Sequence, residues 1–159
     1  MLSNARAFAK ACALQGIPVE GGEADGYTRT HQVVLRVASF GDAKEIASRL
    51  ETNNIITNYQ ALPGDKTFYH PSGIRMGVQE MTRFGMEAPD FDGLARFIAD
   101  VVLRKKDVAP EVATFRSQFL TMRYCLSHEQ TVRIASTIFE SIFPARDSFT
   151  GFAENLKKL

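Results

Sequence analysis

No run of apolar residues in this chain approaches the roughly 18 that a membrane-crossing helix needs. The first ten residues also lack the charged-then-apolar order of a signal peptide. An excess of one charge is missing as well: 19 Lys and Arg against 18 Asp and Glu leave a net charge of +1. That balance gives neither nucleic acid nor an anionic membrane surface a reason to bind. There are only two cysteines, Cys12 and Cys125, far apart and each placed by periodicity on the apolar side of a helix. They read as reduced core thiols, which suits a cytoplasmic protein. His31, His70 and His128 make no metal-ligand spacing with one another or with either cysteine, so no metal site is expected.

What is present is the composition of an ordinary globular chain. Its 159 residues, 45% hydrophobic and 23% charged, are enough for one core. Ala5, Phe8, Ala9 and Cys12 recur at helical spacing and predict a helix over residues 4–15, stopped by Gly16 and Pro18. Residues 21–30 are polar and glycine-bearing and read as a loop. Val33, Leu35 and Val37 alternate with Val34 and Arg36 as in a half-buried strand. Asp42, with Glu45 three residues on, opens a second helix whose stripe is Ala43, Ile46, Ala47 and Leu50. Ile55-Ile56-Thr57 predicts a short strand, and residues 58–71 a turn-rich connection.

Helices dominate from there. Pro89-Asp90 begins a stripe of Phe91, Leu94, Ala95, Ile98 and Val102. Another begins near Pro110 and runs through Val112, Phe115, Phe119 and Met122. Ser127 and Gln130 have capping-box spacing ahead of Ile134, Ile138 and Ile142. The order helix, strand, helix, short strands, helices predicts an α+β fold (two-layer α/β), with helices on one face of a small sheet.

Between the turn-rich stretch and these helices lies Ser72-Gly73-Ile74-Arg75-Met76-Gly77, a lone cation in a short apolar strand between glycines. Arg is seldom buried without a partner. Its planar fork of N–H donors can grip a carboxylate or phosphate with two parallel hydrogen bonds. The residues alone leave two readings open: an anion-binding Arg, or an intramolecular ion pair at a strand end.

Six segments then carry a family resemblance. They are Asn4-Ala5-Arg6-Ala7-Phe8; Gly21-Gly22 followed by His31 and Val33-Val34-Leu35; Leu50-Glu51 through Ile55 and Asn58; Pro63 and Asp65; the strand around Arg75; and Met81-Thr82-Arg83 with Gly85-Met86. In this order and spacing they resemble the C-terminal (small) domain of serine hydroxymethyltransferase (glycine hydroxymethyltransferase), over about three quarters of the chain. The resemblance implies the small, mainly antiparallel, helix-covered sheet of aminotransferase-like (fold type I) pyridoxal-phosphate enzymes. Residues 1–125 would form this domain, and residues 126–159 an additional helical extension packed on it. From about Leu126 the chain does not resemble the family's usual ending, and a helix over residues 131–143 would pack on the domain or cover a partner surface.

The implied activity is one-carbon transfer between glycine and serine, with pyridoxal phosphate as cofactor and folate as one-carbon acceptor. Arg75 matches the family's anchor for the substrate carboxylate and is the one substrate-binding residue expected. His31 and His70 are expected to be structural residues near the site. None of Lys10, Lys44, Lys66, Lys105, Lys106, Lys157 or Lys158 has the context of the family's cofactor-binding lysine. No catalytic residue is therefore expected here, and the cofactor would need a large domain in cis or in trans. The complete enzyme would be a homodimer acting on a glycine- or serine-like amino acid.

Asn58-Tyr59-Gln60 stands where the family tends to carry Asn-Lys-Asn beside its folate site. Exchanging that cation for Tyr59 removes a partner for the acidic tail of tetrahydrofolate and adds an aromatic surface. Three readings result: a domain of a hydroxymethyltransferase-like enzyme, part of a folate-independent threonine-type aldolase or transaldolase, or a non-catalytic relic serving as a binding or assembly module. A helix opening within four residues of Met1 leads us to expect a fragment cut at a domain boundary.

Overall fold

The opening helix, α1 (Leu2–Leu14), buries Ala5, Phe8, Ala9 and Cys12, the stripe that its spacing predicts. It belongs to a computed structural model that describes residues 1–142, in which one compact unit spans Met1–Met122 and a second begins at Arg123. The first unit continues with β1 (Gln32–Arg36), α2 (Ala43–Thr52), β2 (Asn58–Gln60), β3 (Gly73–Gly77), α3 (Gln79–Arg83), α4 (Asp90–Leu103) and α5 (Ala109–Arg116). The second contains α6 (His128–Ile142).

The sheet is antiparallel throughout, in the order β1-β3-β2. Val33, Leu35, Ile74 and Met76 point from it into a core shared with α1, α2 and α4. Phe8 of α1 meets Phe91 of α4 with ring centroids 5.5 Å apart. Helices on one face of a small antiparallel sheet are the α+β arrangement expected. The outer edge of β1 is closed by residues 18–20, where Glu20 N–H donates to Val34 and Pro18 accepts from Arg36, both at 2.8 Å.

Three helices end in the same way. A left-handed residue follows the helix, and the next residue sends its N–H back five positions and buries an apolar side chain. Gly16 (φ +88°) leads to Ile17, whose N–H donates to Cys12 at 3.1 Å. Gly85 (φ +100°) leads to Met86, donating to Met81 at 2.9 Å, and Asn54 (φ +62°) leads to Ile55, donating to Leu50 at 2.9 Å. The last of these corrects the strand expected at Ile55-Ile56-Thr57. The amide of Ile55 is committed to the helix end, and pairing begins only at Asn58, inside the stretch read as turns.

Two buried amides pin helices to their neighbours. Asn4 Nδ2 donates to Thr82 Oγ1 (3.0 Å) and to the Met86 carbonyl (2.9 Å), tying α1 to the end of α3. Asn53 accepts from Val108 N–H (2.6 Å) and donates to the Arg49 carbonyl (2.9 Å), tying α2 to the start of α5. The Asp42 carboxylate caps α2 through Lys44 N–H (2.8 Å) and Glu45 N–H (3.3 Å).

The helix begun near Pro110 stops at Arg116, short of Phe119 and Met122. A turn replaces it, with Phe119 N–H on the Arg116 carbonyl at 3.0 Å. Phe119 still joins Phe115, which in turn meets Phe97. In the second unit Ser127 and Gln130 form the full capping box: Ser127 N–H donates to Gln130 Oε1 (2.9 Å), and Gln130 N–H to Ser127 Oγ (3.1 Å). Ile134, Ile138 and Ile142 line one side of α6 and are exposed. Because α6 starts at His128, Cys125 precedes the helix and is exposed, which corrects its placement as a core thiol. The part of the expected helix and extension beyond Ile142 lies outside the described residues, as do Lys157 and Lys158.

Two consequences are measurable. Burial pushes the Cys12 thiol up to about 12. A thiol reagent at pH 8 therefore modifies Cys125 in the native chain and reaches Cys12 only after denaturation; equal native labelling of both would contradict this packing. Gly73→Ala places a Cβ 2.6 Å from Leu62 Cδ2 and 3.0 Å from the Gln60 carbonyl oxygen. Overpacking of that kind costs about 1–3 kcal/mol, to be read as a lowered urea midpoint.

Candidate functional site

Strand alternation decides which residues share a face with Arg75. Opposite residues of an antiparallel pair stand on the same side, and the side changes at each step. Ile74 and Met76 are buried toward the helices, so Arg75 stands on the other face, exposed, in the central strand. It lies opposite Val34 of β1 and Asn58 of β2. Gln60 and Arg36 lie opposite Gly73, and Gln32 opposite Gly77, on that same face.

The charges on this face are arranged unequally. Arg36 is bonded to the Glu20 carboxylate, and that partner raises the affinity of Arg36 for its proton. Arg75 has no ion pair or side-chain hydrogen bond among the described residues. No described residue makes with Arg75 the intramolecular ion pair that the residues alone left open. A guanidinium held on a strand between amide side chains offers two parallel N–H donors to a planar anion.

The flanking glycines have their own neighbours. The Leu62 side chain packs on Gly73, and the Gln79 side chain covers Gly77, where a Cβ would fall 2.2 Å from its Oε1. Both glycines admit close intramolecular approach on either side of Arg75.

The other expected site residues separate. Asn58 and Gln60 join Arg75, but Tyr59 does not. Tyr59 is opposite buried Ile74, on the helix side of the sheet, with Lys44 Nζ of α2 5.7 Å from its ring centre. The carbonyl of half-buried His31, one residue before the start of β1, accepts from Val78 N–H at 3.1 Å. His70 is exposed in the β2–β3 loop, next to Phe68 and Tyr69, which are 89% and 80% exposed. Arg83 closes α3, and Asn4 holds that same end through Thr82 and Met86.

One residue of this region carries a role that the sequence reading missed. Asp65 Oδ2 accepts from Leu62 N–H (2.8 Å) and from Ser72 N–H (3.0 Å). Hydrogen bonds from Ser72 and Leu62 hold its carboxyl below the usual carboxylate range. Pro63-Gly64 signals the local turn: Gly64 has φ +101°, and Asp65 N–H donates back to Leu62 at 3.0 Å, as in a type II turn. Among the described residues no cluster of His, Cys, Asp and Glu could hold a metal ion, and no helix is long and apolar enough to cross a membrane.

Known proteins similar to this chain share its pattern. The serine hydroxymethyltransferase family pattern matches residues 1–98. The serine hydroxymethyltransferase of Pyrobaculum islandicum is 44% identical over 153 residues, covering 94% of this chain and 34% of that protein. That of Pyrobaculum neutrophilum is 50% identical over 127 residues, covering 78% and 29%. A crystal structure of L-threonine transaldolase from Pseudomonas fluorescens, in its internal aldimine state, superposes with a TM-score of 0.66 at 33% identity, over 85% of this chain and 32% of that one. The chain thus spans about a third of the length of the curated relatives it matches, in their C-terminal portion. At 94% of the chain, the first of these matches extends beyond residue 126, whereas the family pattern itself ends at residue 98. On the match over residues 1–98 and the shared helix-covered sheet, the chain belongs to the serine hydroxymethyltransferase family.

Proposed function

We propose that this chain is the small domain of a pyridoxal-phosphate-dependent, serine hydroxymethyltransferase-like enzyme, and that Arg75 binds the carboxylate of its amino-acid substrate. The observation that carries the reading is an exposed guanidinium on the central strand that has no intramolecular partner among the described residues. A glycine- or serine-like carboxylate matches its fork, and two parallel hydrogen bonds would fix the direction of the Cα bonds. The Asn58 and Gln60 amides share that face and offer both donors and acceptors to the rest of the substrate.

The described residues do not fit the cofactor itself. Lys10 and Lys44 lie on α1 and α2, Lys66 is in the β2–β3 loop, and Lys105 and Lys106 follow α4. No glycine-rich cradle ahead of a helix N-terminus accompanies any of them. Pyridoxal phosphate, when bound, supplies the electron sink for breaking a bond at the amino-acid Cα. We assign its lysine and phosphate site to a large domain, in cis or in trans, that corresponds to the remaining two thirds of the relatives' length. In this reading the complete enzyme is cytoplasmic and homodimeric, and the chain alone is inactive.

A second reading, a folate-independent aldolase or transaldolase, is favoured by one observation. The superposed structure is that of a threonine transaldolase. Formaldehyde transfer to tetrahydrofolate against transfer of a glycine unit to another aldehyde separates the two.

The test is a chimera in which this chain replaces the corresponding C-terminal third of the Pyrobaculum islandicum relative. Arg75→Lys loses the fork geometry while keeping the charge. Amino-acid affinity is expected to fall about a hundredfold, the scale of losing one bidentate contact, while cofactor absorbance stays unchanged. Unaltered amino-acid affinity would reject the anchor role.

A further inference from the structure

The connection from β2 to β3 returns on itself through a single oxygen atom. Asp65 Oδ2 accepts the amides of both Leu62, near the start of the loop, and Ser72, the last residue before β3. Ser72 in turn accepts from Val37 N–H at 2.9 Å, so the loop's second anchor is already part of the sheet. Leu62, the first anchor, lays its side chain on Gly73, two residues before Arg75 on the same face. Between the anchors Phe68 and Tyr69 are almost wholly exposed, so apolar packing of the loop tip does little to hold the loop in place.

We infer that Asp65 is a positioning residue for Arg75: its carboxylate closes the β2–β3 loop, presses Leu62 onto Gly73 and so fixes the strand end that presents the guanidinium. This rests on the reading of Arg75 as a carboxylate binder, whereas the clamp is read from the loop alone. Carboxylate acceptors bind backbone N–H groups more strongly than neutral ones, and protonation removes that advantage. The charged group facing Asp65 from the sheet is Arg36, whose own partner is Glu20; Lys66 and His70 accompany Asp65 in the loop.

The sign of the pH dependence follows. A carboxyl whose native pKa is lowered contributes stability that is present above its unfolded value of about 3.8 and lost as pH falls through the native value. The loop should therefore stay closed at neutral pH and open in acid, below the usual carboxylate range.

Two measurements decide it. The first uses the full 15N-labelled chain and follows amide exchange at Leu62 and Ser72, each compared with the unstructured rate at the same pH. Protection is expected to be high at pH 6–7 in the native chain and about tenfold lower in Asp65→Asn. The Gly73 and Arg75 amides should shift in the variant, while those of Val33 and Leu35 stay in place. The second uses the chimera, where Asp65→Asn is expected to raise the amino-acid KM about tenfold, with kcat and cofactor absorbance much less affected. Unchanged protection at Leu62 and Ser72, or a loosened loop with an unchanged KM, overturns the inference. Failure of the Arg75 reading shows separately, as an Arg75→Lys chimera with native affinity while the Asp65 loop remains protected.

Discussion

Burial of Ile74 and Met76 against the helix layer is the constraint from which the rest of this domain follows. β3 is the central strand, so its register is fixed from both sides. A fully buried side chain such as Ile74 contributes about 1.5–3 kcal/mol. A slip of one residue would forfeit that contribution and drive the Arg75 guanidinium into an apolar layer without a partner. Presenting Arg75 outward and filling the core are thus one event. The helix ends feed the same core: Ile17, Ile55 and Met86 each close a helix and bury an apolar side chain in it.

The outer face works by a different balance. It carries two arginines, and Glu20 engages only Arg36. The bracketing glycines suggest, in one dimension, space reserved for a ligand. In three dimensions Leu62 and Gln79 occupy that space, so the clearance belongs to the chain's own side chains. What remains for a ligand is the front of the guanidinium and the amides of Asn58 and Gln60. That is a small, polar, planar-anion-sized opportunity on a rigid strand, where precision is greater than on a loop.

Periodicity reached the elements whose apolar residues recur often enough to be counted. α1, α2, α4, β1 and β3 were legible for that reason, as were the Asp42 cap and the Ser127–Gln130 box, which depend on residue type at fixed spacing. β2 was hidden because it is three residues long and built from Asn58, Tyr59 and Gln60, none of them β-branched. The β-branched run just before it serves the end of α2 instead. The five-residue α3 is too short for a helical period to repeat. At the site, Arg75 was visible because a lone cation between glycines is rare in a strand. Asp65 acts through backbone amides ten positions apart, which no side-chain pattern encodes, although Pro63-Gly64 marked the turn that begins its work.

The face of Tyr59 shows what register adds to composition. Read along the chain, Asn58-Tyr59-Gln60 is one segment beside Arg75, and a change at its centre looks like a change in the site. Read in the sheet, its two outer members face Arg75 while Tyr59 is opposite Ile74 and beneath Lys44. A cation at position 59 would stand on the α2 side, beside the charge of Lys44, and the two would repel. The tyrosine ring replaces that repulsion with an attraction between ammonium and ring face, worth about 0.5–1 kcal/mol at an exposed position. Local electrostatics between β2 and α2 therefore account for Tyr59 without reference to any ligand, and the chemistry of the Arg75 face is left to Asn58 and Gln60.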